Sequence, residues 1–205
     1  MHIALFGAAG KSGREMIEQA LANGHEVTAL VHDSAQLKVE ADKLYLVIGN
    51  VLDWRKVEET VACADAVIYV LGVFTNESDD SVVGAEHIVA AMQKRDLTRL
   101  VVVSALGVGD SKNQMSRSAR MLLKTVHKKS MEVKEMEENV VRQSELDWVI
   151  VRPSTLTKGP ATGEYQVSVD ASLVGSQISR ADAAQFALQQ LTDDTWLRQT
   201  PVITY

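Results

Sequence analysis

Short apolar runs alternate with longer amphipathic segments along most of this chain. The runs are rich in Val, Ile, Leu and Ala, and glycine or polar residues follow most of them, as is typical of buried parallel strands. They predict six strands, at residues 2–6, 26–31, 44–48, 66–71, 100–103 and 148–151, the sixth closed by Arg152-Pro153. The lengths suit strands that are covered on both faces of a sheet.

The segments between these runs carry apolar residues at helical spacing. They predict helices at residues 14–23 with a start near Lys11, at 57–63, at 81–95 and at 117–143 with an interruption near His127. Toward the end, the pattern predicts a hairpin-like segment at 165–169, a helix at 180–191 capped by Ser179 or Arg180, and a last strand at 202–204. Alternating strands and helices predict an α/β fold, a Rossmann-like doubly wound sheet, mainly parallel, with helices on both faces.

Composition and charge limit the classes of protein. The 205 residues, 46% of them hydrophobic, fit one domain over 1–205 with a sizeable core. The net charge of −6 argues against a nucleic-acid binder. The single Cys63 excludes an internal disulfide, and the five histidines show no metal-ligand spacing, so we expect no metal. No signal peptide or membrane-spanning run is apparent, and we expect a cytoplasmic protein.

Three glycines, Gly7, Gly10 and Gly13, stand between the first predicted strand and the first predicted helix. Such spacing allows a sharp exit from the strand, close approach of the backbone to a pyrophosphate and close packing of the helix on the sheet. The helix would direct its unpaired N–H groups at the phosphates. A plain connecting turn is the alternative interpretation. A nucleoside triphosphatase loop is excluded, because Leu5 occupies the position of its first glycine.

Ligands of an open doubly wound sheet bind at the carboxyl ends of its strands. The candidate residues that follow successive strands are His32 and Asp33, Asn50 and Val51, Leu71 and Gly72, Ser104, and Pro153 and Ser154. An acid after the second strand favours a free ribose 2′-OH and an arginine favours a 2′-phosphate, so His32 beside Asp33 leaves the choice open. Capping of a turn explains Asp33 equally well.

Several short motifs follow one another in order over almost the whole chain. They are Phe6-Gly7-Ala8-Ala9-Gly10, Gly49-Asn50-Val51-Leu52, Asp65-Ala66-Val67-Ile68, Val102-Val103-Ser104-Ala105, Val151-Arg152-Pro153, Thr162-Gly163 and Ile178-Ser179-Arg180-Ala181-Asp182. In these motifs the chain resembles the atypical short-chain dehydrogenase/reductases of the NmrA-like, NAD(P)H-binding group, and within it the flavin reductase/biliverdin-IXβ reductase type. The resemblance implies a Rossmann fold, a nicotinamide cofactor across the strand ends and hydride transfer to a planar acceptor such as a flavin.

The resemblance also implies a role for each candidate residue. It places the pyrophosphate at Ala9, Gly10, Lys11, Ser12 and Gly13, the adenine at Asn50 and Val51, the ribose side at Leu71 and Gly72, and the nicotinamide at Ser104, Pro153 and Ser154. Many relatives carry Asp where this chain has Asn50. We favour NADPH slightly over NADH, although His32 stands where relatives that prefer NADPH carry arginine.

One departure from the larger superfamily is chemically informative. The positions of its Tyr-x-x-x-Lys pair are Ser130 and Lys134 here, so the phenolic acid is missing. A ketone reductase must protonate a developing alkoxide, whereas a flavin accepts hydride into a conjugated ring and needs no strong acid. Ser104 would then be the catalytic residue, and would orient the nicotinamide or donate a hydrogen bond. Lys134 either touches the cofactor ribose or is a solvated lysine on a long helix.

Two other functions are compatible with this fold. A non-catalytic NmrA-like redox sensor would bind the dinucleotide and report its state to a protein partner, and the missing tyrosine favours it. An isomerase or epimerase with bound NAD is weaker, because it also needs the tyrosine. Hydride transfer to a flavin distinguishes the reductase from the sensor.

Overall fold

A computed structural model describes residues 1–37, 39, 41–70, 80–117, 119–121 and 128–205. The strands are β1 (His2–Phe6), β2 (Glu26–Val31), β3 (Leu44–Ile48), β4 (Ala66–Tyr69), β5 (Arg99–Val103), β6 (Asp147–Pro153), β7 (Thr155–Thr157), β8 (Gln166–Ser168), β9 (Gln177–Ser179) and β10 (Val202–Thr204). The helices are α1 (Lys11–Ala22), α2 (Trp54–Thr60), α3 (Asp80–Gln93), α4 (Lys128–Gln143) and α5 (Arg180–Gln189), with 3₁₀ turns at Ser34–Gln36 and Gly109–Gln114. No helix in these ranges is long and apolar enough to cross a membrane.

Eight strands form one sheet in the order β3-β2-β1-β4-β5-β6-β10-β8, and β7 pairs with β9 separately. Every neighbouring pair in the large sheet is parallel except β10 and β8. Strands β1, β2 and β3 lie side by side in chain order, and β4 then pairs with the opposite side of β1. This reversal creates a crevice at the carboxyl ends of β1 and β4, where doubly wound sheets bind ligands.

Side chains of the central strands alternate between two cores. Ile3 and Leu5 of β1 face the core formed with α1 and α5, whereas Ala4 and Phe6 face the core formed with α2, α3 and α4. This alternation follows from the two-residue period of a strand. Helices therefore cover both faces of a mainly parallel sheet, and the predicted fold class is confirmed.

Two predicted boundaries differ from the observed ones for local reasons. Helix α2 begins at Trp54 and not at residue 57, because Asp53 caps it by accepting a hydrogen bond of 3.0 Å from the Arg55 N–H. Strand β6 continues through Pro153. Proline is tolerated there because it lies beyond Val151, the last residue of β6 that pairs with β5, so its missing N–H removes no bond of that ladder. Its carbonyl accepts from the Leu106 N–H, at 2.9 Å.

The predicted hairpin at residues 165–169 is wrong. Its central part is β8, which pairs antiparallel with β10, with Ser168 opposite Val202. The partner strand lies more than thirty residues away in sequence, so the local pattern carried no sign of it. The pair β7 and β9 was not predicted. Strand β4 ends at Tyr69, so the predicted strand was too long at Val70; its predicted end at Leu71 and the helix interruption near His127 lie outside the described residues.

Candidate functional site

Two glycines of the turn after β1 are required by the fold itself. Gly7 has a φ of +91°, a conformation that favours glycine. A Cβ on Gly13 would lie 2.2 Å from the Gly7 carbonyl oxygen and 2.8 Å from Ala8 Cα. No side chain fits at that distance from backbone, so the start of α1 packs directly against the turn.

Gly10 meets a different requirement. Its backbone is extended, with a φ of −71°, and a Cβ there would make only an ordinary contact of 3.4 Å with the Gly7 oxygen. It caps α1 without any side-chain acceptor, no acidic residue stands in the first turn, and Gly10 and Lys11 are exposed. The first N–H groups of α1 therefore present an uncapped, positively polarised end. An anion is favoured at such a helix end, and the contacts of Ala9, Lys11, Ser12 and Gly13 with a pyrophosphate stay predictions.

The residues after β2 and β3 lie in turns. His32 is exposed, and the Asp33 carboxylate accepts from the Ala35 N–H at 2.9 Å, which caps the 3₁₀ turn as the alternative interpretation proposed. Asn50 Oδ1 accepts from the Leu52 N–H at 3.0 Å. The contacts of these residues with ribose and adenine stay predictions.

The neighbouring carbonyl is fixed from a helix. The Val51 carbonyl oxygen lies 2.8 Å from His87 Nδ1 of α3. Because a carbonyl can only accept, Nδ1 carries the proton. This bond holds the backbone of the predicted adenine segment against α3, and the role of Val51 in adenine binding stays a prediction.

The predicted ribose residues Leu71 and Gly72 lie outside the described residues. Lys134, in contrast, is buried on α4, and its Nζ lies 3.8 Å from Glu137 Oε2. The interpretation of Lys134 as a solvated lysine is therefore wrong. Its contact with the ribose stays a prediction.

A buried tyrosine at the end of β4 shares the same carboxylate. The Tyr69 hydroxyl lies 2.9 Å from Glu137 Oε1 and 3.0 Å from the Ser81 carbonyl oxygen. Burial, together with the negative charge of Glu137 and the hydrogen bond to it, raises the pKa of Tyr69 well above its ordinary value. This phenol is a weaker acid than a free tyrosine, so it does not replace the missing superfamily tyrosine.

Ser104, directly after β5, belongs to a buried charged network. Its hydroxyl donates a 2.6 Å hydrogen bond to Glu138 Oε1. Arg152 of β6 donates two hydrogen bonds to the same carboxylate, one of 3.1 Å from Nε to Oε1 and one of 2.7 Å from Nη2 to Oε2. Arg142 adds a bond of 2.9 Å to Oε2. Glu138 and Arg152 are each only 1% exposed, so the protein interior holds a complete ion pair at the end of β5.

The other two residues predicted around the nicotinamide lie in the sheet. Pro153 is buried in β6, and the Ser154 hydroxyl donates to Thr204 Oγ1 of β10 at 3.0 Å. Ser154 is 4% exposed, so its hydroxyl mainly joins β6 to β10. Their contact with the nicotinamide stays a prediction.

Sequence reasoning missed Glu137, Glu138 and the role of Arg152. A signal for the two glutamates existed, because Lys134, Glu137, Glu138 and Val141 are spaced as i, i+3, i+4 and i+7 on α4. That spacing defines the buried stripe of a helix, where charged residues are unusual unless they are paired. Three charges on one such stripe predict an interior network.

Two of the sequence motifs meet at Asp182, which is fully buried in the first turn of α5. Its carboxylate accepts from the Thr162 and Gly163 N–H groups, each at 2.8 Å, and from the Tyr205 hydroxyl at 2.6 Å. The loop that leads from Ser154 to Gly163 is thereby tied to α5. Burial alone would raise the pKa of Asp182, but these hydrogen bonds hold it below its ordinary value.

Replacing Asp182 with asparagine should make stability less dependent on pH. A carboxyl whose pKa is lowered by folding stabilises the protein above its unfolded pKa, and that contribution is lost as the pH falls through the folded value. We expect Asp182→Asn to lower the free energy of unfolding by about 1–2 kcal/mol at neutral pH and the gap to wild type to close below about pH 4. Urea unfolding at a series of pH values measures this. A gap that stays constant in acid would contradict the prediction.

The sheet order and the glycine turn define a dinucleotide-binding protein with a doubly wound sheet. The sequence profile of the NAD(P)H-binding family matches residues 7–194, and the chain belongs to that family. Membership of an NAD(P)H-binding family, predicted from the motifs, is thereby confirmed.

Individual relatives agree with this assignment. YwnB, an uncharacterized protein of Bacillus subtilis, is 26% identical over an alignment 206 residues long, and the alignment covers 93% of this chain and 92% of YwnB. Among solved structures, ChuY, an anaerobillin reductase from Escherichia coli O157:H7, is 24% identical with a TM-score of 0.82, covering 100% of this chain and 97% of ChuY. A short-chain dehydrogenase/reductase of Veillonella parvula in complex with NADP is 18% identical with a TM-score of 0.84, covering 100% and 94%. At these identities the two structures share their fold with this chain.

Proposed function

We propose that this protein is an NAD(P)H-dependent reductase that passes hydride to a flavin or a similar planar acceptor. When bound, the reduced nicotinamide supplies the hydride. The observation that carries the proposal is the bond from Ser104 to Glu138, because it commits the hydroxyl proton at the end of β5 to an interior carboxylate. An acceptor that needs no proton from the protein suits such a site. The name of the structural neighbour ChuY, a reductase, supports the same class of reaction.

Neither of the other candidate proton donors, Tyr69 and Ser130, is suited to protonate a ketone, which supports a flavin as the acceptor. Tyr69 is held by Glu137 with a raised pKa, and Ser130 stands at the position of the superfamily tyrosine. A ketone would require one of these groups to protonate an alkoxide. A flavin stores the electron pair in its ring system and takes any further proton from solvent. The contribution of the protein is then to hold two flat rings in contact.

Dinucleotide binding in this proposal uses the turn after β1. The α1 N–H groups behind Gly10 and Lys11 would hold the pyrophosphate, and Ser104 would lie at the nicotinamide. Lys134, buried beside Glu137, would reach the ribose between them. Each of these groups sits at or near the carboxyl edge of the sheet, which supports one extended site.

The direct test is to mix the protein with NADPH or NADH and FMN and to follow the near-ultraviolet absorbance of the reduced nicotinamide. We expect protein-dependent loss of that absorbance with FMN and none with a simple ketone. A Gly10→Ala variant, which should fold but bind the dinucleotide poorly, is the matched control against reaction in free solution. Tight dinucleotide binding without any flavin turnover would contradict the reductase and favour the redox sensor.

Arg14 supports a preference for NADPH. It follows Gly13 in the first turn of α1, and its Nε is a buried nitrogen with no hydrogen-bond partner in the described part of the chain. Strand β2, which ends before exposed His32, neighbours β1 in the sheet, and we propose that Arg14 and His32 together receive a ribose 2′-phosphate. A phosphate oxygen would satisfy the buried nitrogen.

Replacing Arg14 with methionine tests this assignment without catalysis. We expect Arg14→Met to weaken binding of 2′,5′-ADP about tenfold, since a charge-assisted hydrogen bond is lost, and to leave 5′-ADP binding unchanged. Calorimetry measures both affinities, and Lys11→Met is the control for loss of a positive charge at the same helix end. Equal weakening of both ligands by Arg14→Met would contradict a 2′-phosphate contact.

A further inference from the structure

The network around Ser104 fixes the direction of one proton. Glu138 receives three bonds from two guanidinium groups, those of Arg142 and Arg152, in addition to the bond from Ser104. A carboxylate paired in this way is an acceptor only, and a guanidinium is a donor only. In the contact between Ser104 and Glu138, the serine must therefore be the donor.

A serine hydroxyl has one proton and two lone pairs. With its proton directed into the interior, Ser104 can offer only lone pairs to a ligand beside β5. The backbone leaves the hydroxyl little freedom to move, because the Ser104 N–H is bonded to the Val151 carbonyl at 2.8 Å and the residue is 8% exposed. The hydroxyl is thus a fixed acceptor at the carboxyl end of the central sheet.

We propose that Ser104 recognises the amide N–H of the nicotinamide carboxamide as a hydrogen-bond acceptor, and that Glu138 is the positioning residue that imposes this polarity. The inference rests on the proposed function, since it places the nicotinamide at Ser104. It gives the buried ion pair a role in cofactor recognition: Arg152 and Arg142 hold Glu138, and Glu138 orients the Ser104 proton. The carboxamide is the amide donor of a nicotinamide ring, so a bond to Ser104 would hold that group beside the end of β5.

The polarity can be tested with a cofactor that lacks only this donor. Acetylpyridine adenine dinucleotide phosphate carries a methyl group where NADP⁺ carries the amide nitrogen, and it keeps the carbonyl. We expect the wild-type protein to bind NADP⁺ roughly three- to tenfold more tightly than this analogue, the range of one net hydrogen bond. Calorimetry on the oxidised forms measures the ratio without turnover. ADP-ribose phosphate, which lacks the ring, is the control ligand.

Two variants separate the proposed roles. Ser104→Ala should bind the two dinucleotides equally and leave the affinity for ADP-ribose phosphate unchanged. In Glu138→Gln, the amide oxygen should stay with the two Nη2 donors, which lie at 2.7 and 2.9 Å. The amide nitrogen then takes the Oε1 position, loses the bond from Arg152 Nε, donates to Ser104 and frees the serine proton. The ratio of the affinity for NADP⁺ to the affinity for the acetylpyridine analogue should then fall toward one. Simple loss of packing would not change this ratio.

The outcomes distinguish this inference from the proposed function. The acceptor role of Ser104 is overturned if the wild-type protein prefers NADP⁺ to the acetylpyridine analogue by less than about twofold, or if Ser104→Ala keeps the wild-type preference. Neither result contradicts dinucleotide binding. Absence of binding for every dinucleotide and for ADP-ribose phosphate overturns the proposed function itself. If Glu138→Gln does not fold, the wild-type and Ser104→Ala ratios still decide the polarity of Ser104.

Discussion

Replacing Gly13 with alanine is expected to lower the free energy of unfolding by about 3 kcal/mol and to abolish dinucleotide binding. The new Cβ would lie 2.2 Å from the Gly7 oxygen and 2.8 Å from Ala8 Cα, so backbone atoms and not a flexible side chain must move. The turn would separate from α1, and the N–H groups of the helix would no longer point at the crevice. Urea denaturation and calorimetry with NADPH measure the two effects.

Gly10→Ala is the matched control for this variant. At Gly10 the added methyl group meets only the Gly7 oxygen, at an ordinary 3.4 Å, and the backbone is already extended. We expect its unfolding free energy to stay within about 1 kcal/mol of wild type. Dinucleotide affinity should still fall at least about tenfold, because the methyl group occupies the exposed side that a phosphate must approach. Wild-type stability for Gly13→Ala, or wild-type affinity for Gly10→Ala, would contradict the division of roles among the glycines.

Replacing Arg152 with methionine is expected to destabilise the protein by about 3–5 kcal/mol. Glu138 would keep the bond from Arg142, whose side chain is 34% exposed, but would lose both bonds from the fully buried guanidinium. An incompletely compensated charge in the interior is costly because the protein solvates it far less well than water does. Thermal and urea unfolding of the variant measure the loss.

The double variant Glu138→Gln/Arg152→Met identifies the cause. Removing the second charge leaves a neutral amide in place of a buried carboxylate, so we expect the double variant to recover at least half of the stability lost by Arg152→Met alone. If the losses of unfolding free energy caused by the two single substitutions simply add in the double variant, then lost packing of the long arginine side chain, and not the unpaired charge, explains the destabilisation. In that case the network would have no special electrostatic role.

The strand pattern and the turn chemistry were predictable from local sequence. Residues 26–31 and 44–48 were predicted with their observed bounds from short runs rich in apolar and β-branched residues, although β3 lies at the sheet edge and leaves Tyr45 and Ile48 exposed. Gly7 and Gly13 were identified from their spacing, and the structure gives the reason: a positive φ at Gly7 and a backbone contact at Gly13 each exclude other residues. These requirements involve only residues close together in the chain, so they can be predicted from the local sequence.

Contacts between distant segments were not predictable in the same way. Strand β8 finds its partner β10, and Asp182 joins the Thr162-Gly163 motif to Tyr205, only when the chain has folded. The sequence identified Ser104 as a strand-end hydroxyl, but it could not tell whether that group donates to a ligand or to the protein. That depends on which side chain of α4 reaches it.

By itself, then, the sequence determined the alternating strands and helices, the mainly parallel sheet and the glycine turn at the start of α1, because periodicity and backbone conformation are local properties. Only the tertiary structure decided that Glu138 lies between Ser104 and Arg152, and that Lys134 is buried beside Glu137. The physical reason is that the polarity of a hydroxyl and the charge state of a buried group depend on neighbours brought together by packing.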